Sequence, residues 1–166
     1  MAKEERPKLD IPISDAARWL QRIIFLAIIA SFVLVGMNYS QLPDQIPVHF
    51  DFSGQPDDWG SKIMIWVLPI IMSAMVALFL WLCQRPHQLN YPVKITPENA
   101  AYYYKKTQWV LRWLSFLVSI MTIYVTWKTI QIASGKAAQV DSWFLWIFLS
   151  LIGASMVVLM IPPKKR

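Results

Sequence analysis

A single cysteine, Cys83, stands in the 166-residue chain, so no intrachain disulfide framework holds it together. The familiar catalytic signatures are missing too. There is no nucleophile elbow, no H-E-x-x-H pair, no phosphate-cradling glycine loop and no dinucleotide fingerprint. With these classes removed, a non-enzymatic protein without a cofactor is expected. Acidic residues are few, ten against sixteen Lys and Arg, giving a net charge of +6. Charge is also absent from long stretches: none lies between Ile23 and Met37, between Ile63 and Cys83, or between Ser142 and Ile161.

Apolar residues fill those stretches. They make up 56% of the chain, mean hydropathy is +0.40, and there are nine tryptophans. A soluble domain of this length is ordinarily less apolar. A spanning helix needs roughly 20 mostly apolar residues, and four segments qualify: 19–39, 63–83, 109–132 and 142–161. Trp and Tyr stand near their ends, where an amphipathic ring suits the membrane interface. Pro162 and Pro163 stop the fourth. The expected fold is an all-α integral membrane protein, a four-helix bundle forming one domain over 19–166 behind a segment 1–18. No small-x-small cleavage site follows the first span, so it is expected to remain as a helix rather than be removed as a signal peptide.

The distribution of Lys and Arg orients the bundle. Thirteen of the sixteen fall in the N-terminal segment, in or beside the loop 84–108, or in the tail, leaving Lys62, Lys128 and Lys136 on the other side. The positive-inside rule then places both termini and the loop 84–108 in the cytoplasm and the loop 40–62 outside. This bias accounts for the net charge, and no nucleic-acid partner is expected; the bilayer itself is the expected surrounding. In the loop 84–108, Thr96 is a good N-cap, with Pro97 at the first helical position and Glu98 in the first turn. A helix from Pro97 to Ile132 would be ~54 Å long and would carry Tyr102, Tyr103 and Tyr104 at headgroup level as anchors. Ser115, Ser119, Thr122 and Thr126 share one face of the third span. Ala27/Ser31, Ser73/Ala77 and Ser150/Ala154 are small-residue pairs that let helices approach closely. Pro69 is expected to kink the second span.

The outer loop is the most informative stretch. Pro43 and Pro47 impose an extended path, and 48–52 alternates in the manner of a short strand. The segments 53–56 and 57–60 read as turns. About twenty residues thus form a small ordered cap, with Phe50, Phe52 and Trp59 expected to seat it on the helix ends. His49 and Asp51 share a face, with Asp44, Asp57 and Asp58 near in sequence. The spacing matches no established metal motif, so no metal is expected and a structural, hydrogen-bonded His–Asp pair is the reading. Lys62 is expected to snorkel at the outer interface.

At this loop the sequence resembles the domain of unknown function at the N-terminus of bacterial SdpI-type immunity proteins. The resemblance is carried by Leu42-Pro43, Ile46-Pro47, His49, Gly54, Pro56-Asp57 and Trp59-Gly60-Ser61-Lys62, set between two hydrophobic spans. The stretch 91–107 is similar to short, stand-alone members. The resemblance implies a multi-pass protein of the bacterial inner membrane, an outer loop that works, and a link to antimicrobial peptides. The type protein shields its producer from a secreted killing peptide and holds a repressor at the membrane, through a chain with further spans. The functional expectation is therefore immunity or sensing, with a peptide or another membrane protein met by His49, Asp51, Gly54, Pro56, Asp57, Trp59 and Lys62. The alternatives are a structural or assembly subunit and a transporter component.

Overall fold

A computed structural model describes residues 6–161. Four helices are long and apolar enough to cross a membrane. They are α1 (Asp15–Asn38), α2 (Val67–Cys83), α3 (Pro97–Ala133) and α4 (Ser142–Met160). Each corresponds to one expected span. The helices are joined by more than loops, however. Between α1 and α2 stands an antiparallel hairpin, β1 (Gln45–Phe50) and β2 (Pro56–Ser61), so the architecture is helical with one two-stranded sheet rather than all-α. Lys3, the two stop prolines Pro162 and Pro163, and the tail cations Lys164, Lys165 and Arg166 lie outside the described residues.

Local chemistry sets the helix ends. Ser14 caps α1, its hydroxyl accepting the Ala17 N–H at 3.3 Å. Thr96 caps α3 as expected, and Asn99 closes a reciprocal contact, its Oδ1 accepting the Thr96 N–H at 2.9 Å. From that cap, α3 runs unbroken for 37 residues. A 3-10 turn over Lys62–Trp66 leads into α2, so Pro69 falls in the first α-helical turn. There its missing N–H is one of those without an intrahelical partner, and the expected mid-helix kink has no basis.

α3 is the axis of the bundle. Ile24 of α1, Val76 of α2 and Val118 of α3 form one core cluster with Leu20, Met72, Met75 and Phe79 around it. Val110, Leu114 and Leu117 of α3 meet Phe148, Ile152 and Leu159 of α4. Ser115, Ser119, Thr122 and Thr126 are all buried along one stripe of α3. Three of these hydroxyls donate to carbonyls of their own helix, at 2.8 Å each, which satisfies them while keeping side chains small enough for close packing. Ala27 and Ser31 are likewise buried. Ala77, Ser150 and Ala154 are exposed, so the pairs expected to pack α2 and α4 within the bundle do not. α4 buries Ser155 instead.

Tyr103 and Tyr104 are not free anchors. They are buried with Ile95 and Ala100, and Ile11 and Tyr91 pack on them. The segment before α1 and the loop before α3 thereby form a small second core at the end away from the hairpin. Arg6 reinforces it, donating to the Leu89 carbonyl and lying over the Tyr91 ring. Burial pushes the Tyr91 hydroxyl up to about 12, against smaller opposing effects from Thr107 and Arg6.

Candidate functional site

The hairpin begins as an extension of the helix ends. Leu42 and Ile46 are buried with Val35 of α1, Ile65 before α2 and Ile130 of α3. Val48, Tyr39 and Trp66 pack around that cluster. These residues seat the hairpin together with the half-buried Phe50, whereas Phe52 and Trp59 do not. Phe52 is 85% exposed and Trp59 49%. Phe50, half-buried over the helix ends, is the one of the three aromatic residues that faces inward, while Phe52 lies in the turn and Trp59 on β2. β1 starts three residues earlier than the alternation suggested. The segment 57–60, expected as a turn, belongs to β2 and pairs with β1.

Two irregularities shape the ladder. Pairing steps from Pro47↔Trp59 to His49↔Asp58, and then to Phe50↔Pro56, so Val48 and Asp57 are each an extra residue on their strand. Bulges of this kind re-aim side chains. Here the outcome is an ion pair: His49 Nδ1 lies 2.6 Å from Asp57 Oδ1, with both side chains substantially exposed. Asp51, which alternation places on the same face as His49, is occupied elsewhere. Its Oδ1 accepts the Ser53 N–H, the Ser53 hydroxyl and the Gln55 N–H, at 2.8, 2.7 and 2.9 Å. Those bonds, the Ser53 hydroxyl first and the Gln55 N–H next, hold its carboxyl below the usual range. Asp51 is thus a turn-forming residue.

Gly54 is also structural. It has φ +85°, and its carbonyl accepts the Val140 N–H at 2.8 Å. A Cβ at this position would sit 1.9 Å from the Val140 carbonyl oxygen. The hairpin tip is therefore clipped to the turn between α3 and α4. Pro56 opens β2 opposite Phe50. Lys62 closes the base, its Nζ 3.0 Å from Asp44 and 5.9 Å from the Tyr39 ring centroid. Among the described residues no group of three or more His, Cys, Asp or Glu side chains is placed to hold a metal.

Beneath the hairpin lies a cavity of about 350 Å³. Its roof is 46–50 of β1, one wall is α2 from Met64 to Met72 with the turn before it, and the other is Val125, Thr126 and Thr129 of α3. The lining is predominantly apolar, and His49 stands at its upper edge. A pocket with few polar groups and mostly apolar walls is the usual form of a small-ligand site. Beside the hairpin tip, Asp141 locks α4 to α3. It takes the Lys128 ammonium at 2.6 Å and the Tyr124 hydroxyl at 2.5 Å. Sequence reading counted Lys128 among the outer cations but missed Asp141 as its partner, although both lie close to the loop between the third and fourth spans.

Residues 26–73 match a family described as a domain of unknown function, DUF1648. That segment takes in much of α1, the whole hairpin and the start of α2, less than a third of the chain. A protein from Archaeoglobus fulgidus, described as uncharacterized, is 35% identical over 69 residues, covering 42% of this chain and 38% of that relative. The chain therefore spans well under half the length of the relative it matches. No solved structure matches the chain.

Proposed function

We propose that this chain is a non-enzymatic protein of a cell membrane that recognises an amphipathic ligand at its hairpin. The ligand class suggested by the likeness to SdpI-type proteins is a secreted antimicrobial peptide, and the role is protection or sensing. Both termini are proposed to lie in the cytoplasm and the hairpin outside. The observation that carries this reading is the hairpin's combination of a fixed frame and an unsatisfied surface. The base is buried and the tip is clipped, yet Phe52, Trp59 and the His49–Asp57 pair face outward. Exposed aromatic residues on a rigid support lose little entropy on binding, which favours recognition.

The test is deletion of the gene, exposure of the cells to secreted antimicrobial peptides, and complementation. Wild type should restore resistance. Trp59→Ala and Asp57→Ala, made at equal membrane levels, should not. Full rescue by both variants would remove the hairpin from the function. Loss of the Trp59→Ala protein itself would assign Trp59 a folding role. A second reading, as an assembly partner of another membrane protein, is favoured by α4, whose Ser150 and Ala154 face outward as a small-residue pair.

A further inference from the structure

Four buried polar atoms among the described residues have no hydrogen-bond partner: Arg85 Nη1, Tyr104 OH, Arg112 Nε and Thr126 Oγ1. Three of them belong to the end of the bundle away from the hairpin. Tyr104, Gln108 and Arg112 follow one another at four-residue spacing, on one face of α3. Gln108 fixes that face against the end of α2, its Nε2 donating to the Cys83 carbonyl at 2.8 Å. Arg112, one turn deeper, is only 5% exposed. Its Nη1 donates to the Gln108 carbonyl at 3.2 Å, its one hydrogen bond among the described residues. Arg85 lies two residues past Cys83, with its guanidinium 4.3 Å from the Trp81 ring centroid.

Neither guanidinium has a carboxylate within ion-pairing distance among the described residues. The C-terminal carbonyls of α2 do not fill the gap. Trp81 and Leu82 accept the N–H groups of Gln84 and Arg85, and Cys83 accepts from Gln108. An arginine does not escape burial by losing its proton. A buried, unpaired guanidinium is among the costliest groups a fold can carry, so its counter-charge is to be sought outside the described residues. Guanidinium is planar and forked, and matches phosphate oxygens in pairs. Arg22 lies over the Trp19 ring and Lys106 over the Tyr102 ring at this end, the mixture of basic and aromatic side chains typical of a headgroup boundary.

We propose that Arg85 and Arg112 form a site for a phosphate group at this end of the bundle. The nearest source is the headgroup of an anionic phospholipid; a soluble phosphate is the other. This inference is independent of the hairpin reading. The full chain, purified in neutral detergent, is melted alone, with phosphatidylglycerol, with phosphatidylcholine and with inorganic phosphate. Phosphatidylglycerol should raise the melting temperature by several degrees over phosphatidylcholine, because a ligand that binds the folded state stabilises it. Arg112→Gln and Arg85→Gln should each abolish the rise, and Lys105→Gln, an exposed cation at the same end, should keep it. A rise with inorganic phosphate that both arginine variants lose assigns the same site to a soluble phosphate. Arg85 is only half-buried, so Arg85→Gln serves if Arg112→Gln does not fold. A rise that survives in Arg85→Gln, or no rise with any phosphate, overturns the proposal.

Discussion

At the hairpin end three basic side chains meet carboxylates of the same chain: His49 with Asp57, Lys62 with Asp44, and Lys128 with Asp141. At the opposite end Arg18 pairs with Asp15, but Arg6 rests on a carbonyl and a tyrosine ring, and Arg85 and Arg112 meet no carboxylate. The first end neutralises itself. Its ion pairs bridge strand to strand, hairpin base to hairpin base, and α3 to the start of α4, so charge there serves geometry. At the second end the guanidinium groups of Arg85 and Arg112 meet no carboxylate among the described residues. Two ends of one bundle, one rich in Lys and Arg and the other holding only three of them, therefore present different chemistry to their surroundings. One is a preformed platform, and the other looks to its environment for a counter-charge.

The platform should break most completely at Gly54. A non-glycine residue held at φ near +85° costs roughly 1–2 kcal/mol from the backbone alone. Gly54→Ala would also drive its Cβ into the Val140 carbonyl, 1.9 Å away, and end the Gly54–Val140 hydrogen bond. A destabilisation above about 2 kcal/mol is expected in thermal unfolding, with faster hydrogen exchange at the Val140 amide. Gly135 is the internal comparison. It also has positive φ, +71°, but a Cβ there meets nothing within 4 Å. Gly135→Ala should cost only the backbone share. Equal losses at the two glycines would mean that the clip contributes nothing.

These contrasts bear on what was legible beforehand. The four helices were, because a charge-free run of about 20 apolar residues is a local signal. The start of α3 was as well, since Thr96, Pro97 and Glu98 spell a helix N-terminus in consecutive residues. The hairpin was half legible. Alternation disclosed a strand, but its partner strand, with Asp57, Asp58 and Gly60, has the composition of a turn. Pairing across a hairpin overrides such local preference, because the ladder supplies what the side chains do not. The bulges at Val48 and Asp57 left no sequence mark, so the His–Asp pair was legible but not which aspartate completes it. The buried tyrosines were misplaced for a similar reason. Aromatic residues beside lysines read as interfacial, and only the fold brings Ile11, some ninety residues away, to cover Tyr103 and Tyr104.

Acid provides the next test of the self-neutralised end. Lys128 and Tyr124 donate to Asp141 and hold its carboxyl below the usual range, the lysine having the larger effect. The folded pKa is therefore below the unfolded value of about 3.9. The stabilisation is complete above that value and is lost as pH falls through the folded pKa. Lowering pH past about 4 should loosen α4, seen as faster hydrogen exchange near Phe144. Asp141→Asn should remove that response and leave a smaller one at 51–55, since Asp51 is shifted in the same direction by its turn bonds. If α4 responds to acid equally in Asp141→Asn, the Lys128–Asp141 pair does not hold the helix.

His49→Ala should have the smallest effect. Its partner contact is short, but both side chains are largely in solvent, and exposed pairs contribute about 0–1 kcal/mol. The base of the hairpin is held by Leu42 and Ile46 and its tip by Gly54, none of which involves the imidazole. Helical content by circular dichroism should stay at the wild-type level, and altered amide exchange should be confined to 47–50 and 56–59. A fall in helical content would tie the hairpin's outer face to the packing of the bundle below it. The platform and its surface would then be one cooperative unit. In that case the contrast between a rigid support and a free recognition face, on which the proposed function depends, would no longer hold.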